Sequence, residues 1–259
     1  MLNNFLREID KIKIEAQENY KKEKIEIKPA SSYLQYLIDF RDIDIDQKWL
    51  KEYFIKFIST WEKFEGDEDR MAERLRQGFE QKDLDLEQLV KKVVSSDSNY
   101  LMELAEKLQL EKETLSFLGL ELGKPVFELY AEKFKDKLDL DNWEKEYCPL
   151  CGSPPAFAYF RQEDGKRILW CQFCETKWSF LRLKCPFCSN EDQDSLRYFF
   201  TEEGSPYRVD VCEKCNKYIK TIDQRKMQNP DELSLSLENV QTYYLDLLAK
   251  KEGYSNALV

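Results

Sequence analysis

Eight cysteines arranged as four Cys-x-x-Cys pairs, all between Cys148 and Cys215, constrain this 259-residue chain more than any other feature. One copy opens with Cys148 and Cys151, runs 19 residues and closes with Cys171 and Cys174; a second opens with Cys185 and Cys188, runs 23 residues and closes with Cys212 and Cys215. Inside each copy, strand-like runs flank a turn. Residues 156–160 and 167–170 lie around Asp164-Gly165, and residues 196–200 and 207–211 lie around Gly204-Ser205-Pro206. A third strand-like run follows each closing pair, at 178–183 and 218–222. A hairpin of this length returns its closing pair to its opening pair, so each copy can surround one ion with four thiolates. Sequential pairing is therefore expected over a cross-braced one. Gly152 and Asn216, each just after a pair, suit the left-handed backbone such a knuckle requires.

Other uses of the cysteines fit less well. Disulfides are disfavoured in a chain expected to be cytoplasmic, where thiols stay reduced. Thioredoxin-like chemistry needs a pair at a helix start within a βαβ pattern, and these pairs lie on hairpins. Four thiolates also close the coordination sphere, whereas a catalytic metal keeps a position open. Zinc and iron both accept such a site. With no histidine in the chain, Ser-His and Cys-His catalysis are excluded.

The 147 residues before Cys148 contain no cysteine, which sets an expected boundary near residue 144. That first part reads as helical. Trp49, Tyr53, Phe54, Phe57 and Trp61 form one amphipathic stripe; Leu84, Leu86, Leu89, Val90 and Val93 form another. Asp97 or Ser98 caps a helix through Leu101, Leu104 and Leu108. Gly123 is read as the end of a helix around Leu115–Leu122, with Pro125 in the first turn of the next, which carries Phe127, Tyr130, Phe134 and Leu138. A charged amphipathic helix is expected to lead into Pro29. After the cysteines, Val240, Tyr243, Tyr244, Leu247 and Leu248 predict a helix behind Pro230 and Asp231 that packs on the rest and ends near Gly253. The fold class expected is α+β: a helical domain over residues 1–144, four-cysteine β modules over 145–182 and 183–225, and a C-terminal helix and tail over 226–259.

The net charge of −10 argues against a nucleic-acid backbone as the main partner. Lys166, Arg167, Arg182, Lys184, Lys214, Lys217 and Lys220 lie among the ribbons, but residues 145–225 hold 13 basic against 12 acidic side chains, so the local charge nearly cancels. No run approaches the roughly 18 apolar residues of a membrane span, and the acidic start does not read as a secretory peptide.

The helical first part, the two four-cysteine ribbons, the run CETKWSFLRLKC from Cys174 to Cys185 and the tail KKEGYSNA resemble the formate dehydrogenase accessory protein (FdhE-like) family. The resemblance is specific over about residues 145–256 and rests only on helical character before them. It implies a cytoplasmic maturation factor, not an enzyme, with two rubredoxin-like centres, which binds the catalytic subunit of a formate dehydrogenase. It favours iron, with zinc as the alternative, and makes Cys148, Cys151, Cys171, Cys174, Cys185, Cys188, Cys212 and Cys215 the ligands. Glu175, Thr176 and Trp178 stand where the family shows a Cys-Glu-Thr-x-x-Trp-like or Cys-Glu-Thr-Glu-Trp run, although Lys177 replaces the second acid and Ser179 stands where histidine is often found. Tyr254 matches the family's tail. These four are candidate partner-binding residues; read from the chain alone, Trp178 packs on a knuckle while Glu175 and Thr176 hydrogen-bond a turn. Two other functions remain open at this point: a tandem zinc-ribbon adaptor for nucleic acid or protein, and an iron redox or sulfur-relay protein.

Overall fold

The computed structural model describes residues 2–20, 36–64, 66, 70–230 and 233–256. Pro29 and Asp231 lie outside them. The described residues form two compact units, one of residues 2–20 and 39–133 and one of 36–38 and 134–256.

The first unit is helical: α1 (Leu2–Asn19), α2 (Gln47–Glu62), α3 (Met71–Glu80), α4 (Leu86–Val94), α5 (Ser98–Leu108) and α6 (Lys112–Phe134). Caps explain several starts. Asp46 accepts from the N–H groups of Lys48 and Trp49, Asp85 from Gln88, and Asp97 from Tyr100, as N-cap carboxylates do at the positive end of a helix. The α2 stripe is buried throughout, and its Trp49 donates from Nε1 to the Ala16 carbonyl of α1 at 2.8 Å.

The expected break at Gly123 does not occur. α6 runs unbroken for 23 residues with Pro125 inside it, and it ends at Phe134, leaving Leu138 in extended backbone. Burial overrides the local signal: Leu118, Leu122, Val126 and Phe127 are fully buried around the proline. The glycines serve packing instead. A Cβ on Gly119 would meet Val93 Cγ2 at 2.6 Å and Leu89 Cγ at 3.2 Å, both on α4. Gly119→Ala is therefore expected to lower stability by about 1–2 kcal/mol in urea denaturation, because overpacking outweighs the better helix propensity of alanine.

The second unit is built on a six-stranded sheet of β1 (Phe157–Phe160), β2 (Arg167–Trp170), β3 (Lys177–Phe180), β4 (Leu196–Phe199), β5 (Tyr207–Cys212) and β6 (Lys217–Asp223), in the order β3-β2-β1-β6-β5-β4. Each ribbon is an antiparallel three-strand meander. The two ribbons share one sheet: β1 pairs with β6 in parallel, Phe157 opposite Lys220 through Phe160 opposite Asp223.

Two short helices, α7 (Leu235–Gln241) and α8 (Tyr243–Lys251), cover one face of this sheet. The tail stripe faces otherwise than expected: Tyr243, Tyr244 and Leu247 are exposed, while Leu245 and Ala249 pack on Val209, Val211 and Tyr218. The break at buried Thr242 resets the helical phase, so the i, i+4 pair Leu245 and Ala249 meets the sheet. A buried polar cluster lies in the same layer. Lys220 Nζ, 2% exposed, donates to Asp246 Oδ2 and to the Asn239 carbonyl, both at 2.6 Å, and Tyr218 donates to Asp246 Oδ1 at 2.8 Å.

Candidate metal centres

All four cysteine pairs sit in the same backbone device. In each, the N–H of the residue after the second cysteine returns to the carbonyl of the first: Gly152 to Cys148, Glu175 to Cys171, Ser189 to Cys185, and Asn216 to Cys212. Those four residues have φ of 73°, 59°, 57° and 54°, so every knuckle turns through left-handed backbone. Glycine and asparagine signal this in sequence; Glu175 and Ser189 do not. At Gly152 the requirement is double, since a Cβ would also meet the Tyr36 ring at 2.4 Å. Backbone N–H groups of Leu37 and Ile38 bind the Pro149 and Leu150 carbonyls of that knuckle.

The knuckles bring the sulfurs together in the sequential sets Cys148, Cys151, Cys171, Cys174 and Cys185, Cys188, Cys212, Cys215, with all ligand atoms of a set within 4.8 Å of one another. In the first set Cys148 and Cys174 are 3.6 Å apart, Cys151 and Cys171 3.6 Å, and Cys151 and Cys174 3.9 Å. In the second, Cys185 and Cys215 are 3.7 Å apart and Cys188 and Cys212 3.8 Å. A tetrahedron with metal–sulfur bonds of about 2.3 Å has sulfur–sulfur edges of about 3.8 Å. The spacing thus fits a four-coordinate ion, and a disulfide at about 2.05 Å is excluded for these sulfurs as placed. Two four-cysteine clusters that can hold metal ions are therefore present.

The clusters differ in access. All four cysteines of the first are buried, whereas Cys188 is exposed and Cys215 half-buried in the second. Burial pushes the Cys148, Cys171 and Cys174 thiols well above their ordinary value, so a cation entering the first cluster must displace protons held there. In the second, burial raises Cys212, but the N–H groups of Cys215 and Lys214 pull it down to about 7; burial lifts Cys215 to about 11.

Polar neighbours hold the sulfurs. Thr176 Oγ1 lies 3.1 Å from Cys174 Sγ, Ser153 Oγ lies 3.4 Å from Cys151 Sγ, and Asn190 Nδ2 lies 3.6 Å from Cys212 Sγ. Asn190 and Ser153 carried no sequence signal, because each acts from a position set only by the folded knuckle. Trp178 is 1% exposed and donates from Nε1 to the Lys145 carbonyl at 3.0 Å. Glu175 accepts from Trp170 Nε1 and from Ser236 Oγ, both at 2.8 Å, tying the first knuckle to α7. Tyr254 follows Gly253 (φ 92°), packs with Val209 and Tyr218, and precedes Ser255, whose N–H binds the Asn216 carbonyl beside Cys215. The tail motif thus closes on the second knuckle. Among the described residues no helix is long and apolar enough to cross a membrane.

A family described as "FdhE, central domain" matches residues 147–182, the first ribbon with both its knuckles. The chain is 35% identical over 150 residues to "Protein FdhE homolog" of Aquifex aeolicus, covering 56% of this chain and 50% of that protein. It is 29% identical over 119 residues to "Protein FdhE" of Escherichia coli K12, covering 45% and 37% respectively. The matched part thus spans half or less of these curated relatives. The crystal structure of the FdhE protein from Pseudomonas aeruginosa shares the fold, with a TM-score of 0.63 at 15% identity over 97% of this chain and 85% of that one. The first four-cysteine ribbon matches the FdhE central domain, half of the chain is similar in sequence to FdhE proteins, and the fold is that of a solved FdhE structure: the chain is similar to the FdhE family.

Proposed function

We propose that this protein is a formate dehydrogenase accessory protein that binds the catalytic subunit of the enzyme in the cytoplasm and is needed for its assembly, with no turnover of its own. The observation that carries this reading is the pair of closed four-thiolate clusters built into one sheet, in a chain similar to FdhE proteins. Four thiolates leave no coordination position for substrate, which suits a scaffold better than a catalyst. In this reading Cys148, Cys151, Cys171 and Cys174 hold one ion and Cys185, Cys188, Cys212 and Cys215 a second. Family resemblance favours iron over zinc. A bound ion supplies the crosslink that holds each pair of knuckles, and iron adds a one-electron couple. The expected segments 1–144, 145–182, 183–225 and 226–259 carry over as the working division.

Glu175, Thr176 and Trp178 serve such binding by fixing the first knuckle, since their polar atoms are engaged within the unit. Tyr254 serves it by seating the tail on the second. The test is affinity capture from anaerobically grown native cells, beside a Cys148→Ser/Cys185→Ser variant, with purified catalytic subunit used to check direct binding. Capture of the formate dehydrogenase catalytic subunit by the intact protein alone is the expected result. Capture of nucleic acid or unrelated proteins, without that subunit, overturns the reading.

A further inference from the structure

On the sheet face opposite α8, a cavity of about 320 Å³ opens between the two ribbons, a size at the small end of ligand pockets. Strands distant in sequence supply its walls, and the segment linking the ribbons forms its side. Four guanidiniums line it: Arg167 from β2, Arg182 from the linking segment, Arg208 from β5 and, at the margin, Arg197 from β4.

Arg167 decides the matter. Its side chain is only 4% exposed, and while Nη1 donates to the Lys184 carbonyl at 3.1 Å, Nε and Nη2 have no hydrogen-bond partner. Buried guanidinium N–H groups left without acceptors are costly, and a native fold tolerates them where a ligand completes them. The Nε of Arg208 is likewise buried without an acceptor.

Charge points the same way. The one carboxylate lining the cavity, Asp210, is shared: Arg208 Nη2 lies 2.8 Å from Oδ1, while Arg167 Nη2 at 3.6 Å and Thr221 Oγ1 at 2.6 Å lie near Oδ2. Lys184 and Arg197 at the margin have their own partners, Glu146 at 3.1 Å and Glu213 at 2.6 Å. Arg167, Arg182 and Arg208 thus face a single carboxylate, while Lys217 lies over the Phe187 ring at 5.7 Å and Cys185 and Cys212 of the second thiolate cluster form part of the wall. Phe160 holds two of these cations in place, with the guanidiniums of Arg182 and Arg208 each 4.5 Å from its ring centre. At the mouth, Leu183 and Tyr198 are 60% and 56% exposed and offer apolar surface beside the cationic floor.

We infer that this cavity binds a phosphoryl or sulfuryl oxyanion carried on a molecule with a flat apolar body. Several guanidiniums converging from different directions match a group with three terminal oxygens and two charges better than a carboxylate, which one arginine fork already satisfies. The apolar body would lie against Tyr198 and Leu183. The cavity adjoins the second thiolate cluster, whose Cys185 and Cys212 form part of its wall, but its ligand would be held by guanidiniums and not by thiolates, and it does not depend on the client proposed above.

The test uses the full-length, metal-loaded protein and calorimetric titration at about 0.1 M ionic strength, where unspecific attraction is screened. The probes are phenyl phosphate, inorganic phosphate and benzoate. Expected is saturable one-to-one binding in the order phenyl phosphate, inorganic phosphate, benzoate, weakened about tenfold or more for phenyl phosphate by Arg182→Gln, whose side chain is exposed, and by Arg208→Gln. Circular dichroism and metal content confirm that both variants are folded. The inference is overturned if no probe saturates, if benzoate binds as well as phenyl phosphate, or if binding is unchanged in both variants. It is also overturned if Arg182→Gln instead speeds metal loss without affecting probe binding, for the arginines would then be counter-charges to the thiolates. Tight binding of a single-stranded oligonucleotide with a salt dependence of several charges overturns it in favour of a surface track.

Discussion

A thiol-reactive mass label applied to the metal-loaded protein together with a chelator is expected to modify Cys188 and Cys215 first, and to reach the first centre only as the second unit unfolds. The difference follows from exposure: Cys188 is open to reagent, whereas Cys148, Cys151, Cys171 and Cys174 are all buried. Complete metal removal is expected to dissolve the six-stranded sheet. A structural four-thiolate site contributes on the order of 10 kcal/mol, comparable with the roughly 5–15 kcal/mol by which a whole domain is stable. Circular dichroism followed beside labelling would show strand signal surviving loss of the second ion and vanishing with the first. Equal labelling rates at both centres would refute the assignment of a closed and an accessible site. Cys148→Ser should accordingly prevent stable folding of the unit, while Cys188→Ser should leave the first centre loaded.

The second large effect concerns Lys220. Asp246→Ala is expected to cost about 3–5 kcal/mol, because it leaves a buried ammonium with no counter-charge, held by the Asn239 carbonyl and the face of the Phe157 ring. Burial already presses the Lys220 amine below its ordinary value, against the pull of Asp246. Replacing both charges, as in Lys220→Met/Asp246→Leu, is expected to restore most of that loss, since an apolar pair of similar volume has no desolvation penalty to offset. Urea denaturation of the four proteins, all with metal saturated, gives the coupling energy directly. A single-mutant loss below about 1 kcal/mol would show that water reaches the pair and that α8 is not pinned through it.

How much of this was legible in sequence depended on how local each cause was. Cysteine spacing acts within a few residues, so both clusters and their pairing could be read from Cys148 to Cys215, as could the hairpins and the Asp97 cap. The left-handed turns at Glu175 and Ser189 could not, because those residue types do not favour such backbone and the knuckle imposes it. Pro125 misled for the complementary reason: its local preference is real, and buried contacts on both sides of it prevail. The outward stripe of Tyr243, Tyr244 and Leu247 depended on a phase break at Thr242 that periodicity does not reveal. The arginine cavity was least legible. Arg167 and Arg182 stood out only as scattered charges balanced by nearby acids, and their convergence with Arg208 exists only once the linking segment and β5 share a face of the sheet.

The parallel register between β1 and β6 also orders events on the ribosome. The first four cysteines can take up metal once residue 174 has emerged, but the edge of β1 finds its partner only when residues 220–223 follow. Until then a nascent chain presents Phe157 to Phe160 as an open strand, the kind of edge that recruits other strands and seeds aggregates. A chain halted between the two copies would thus be metal-bound and adhesive at once. Fusion of the ribbons into one sheet couples release of an inert product to completion of the second copy.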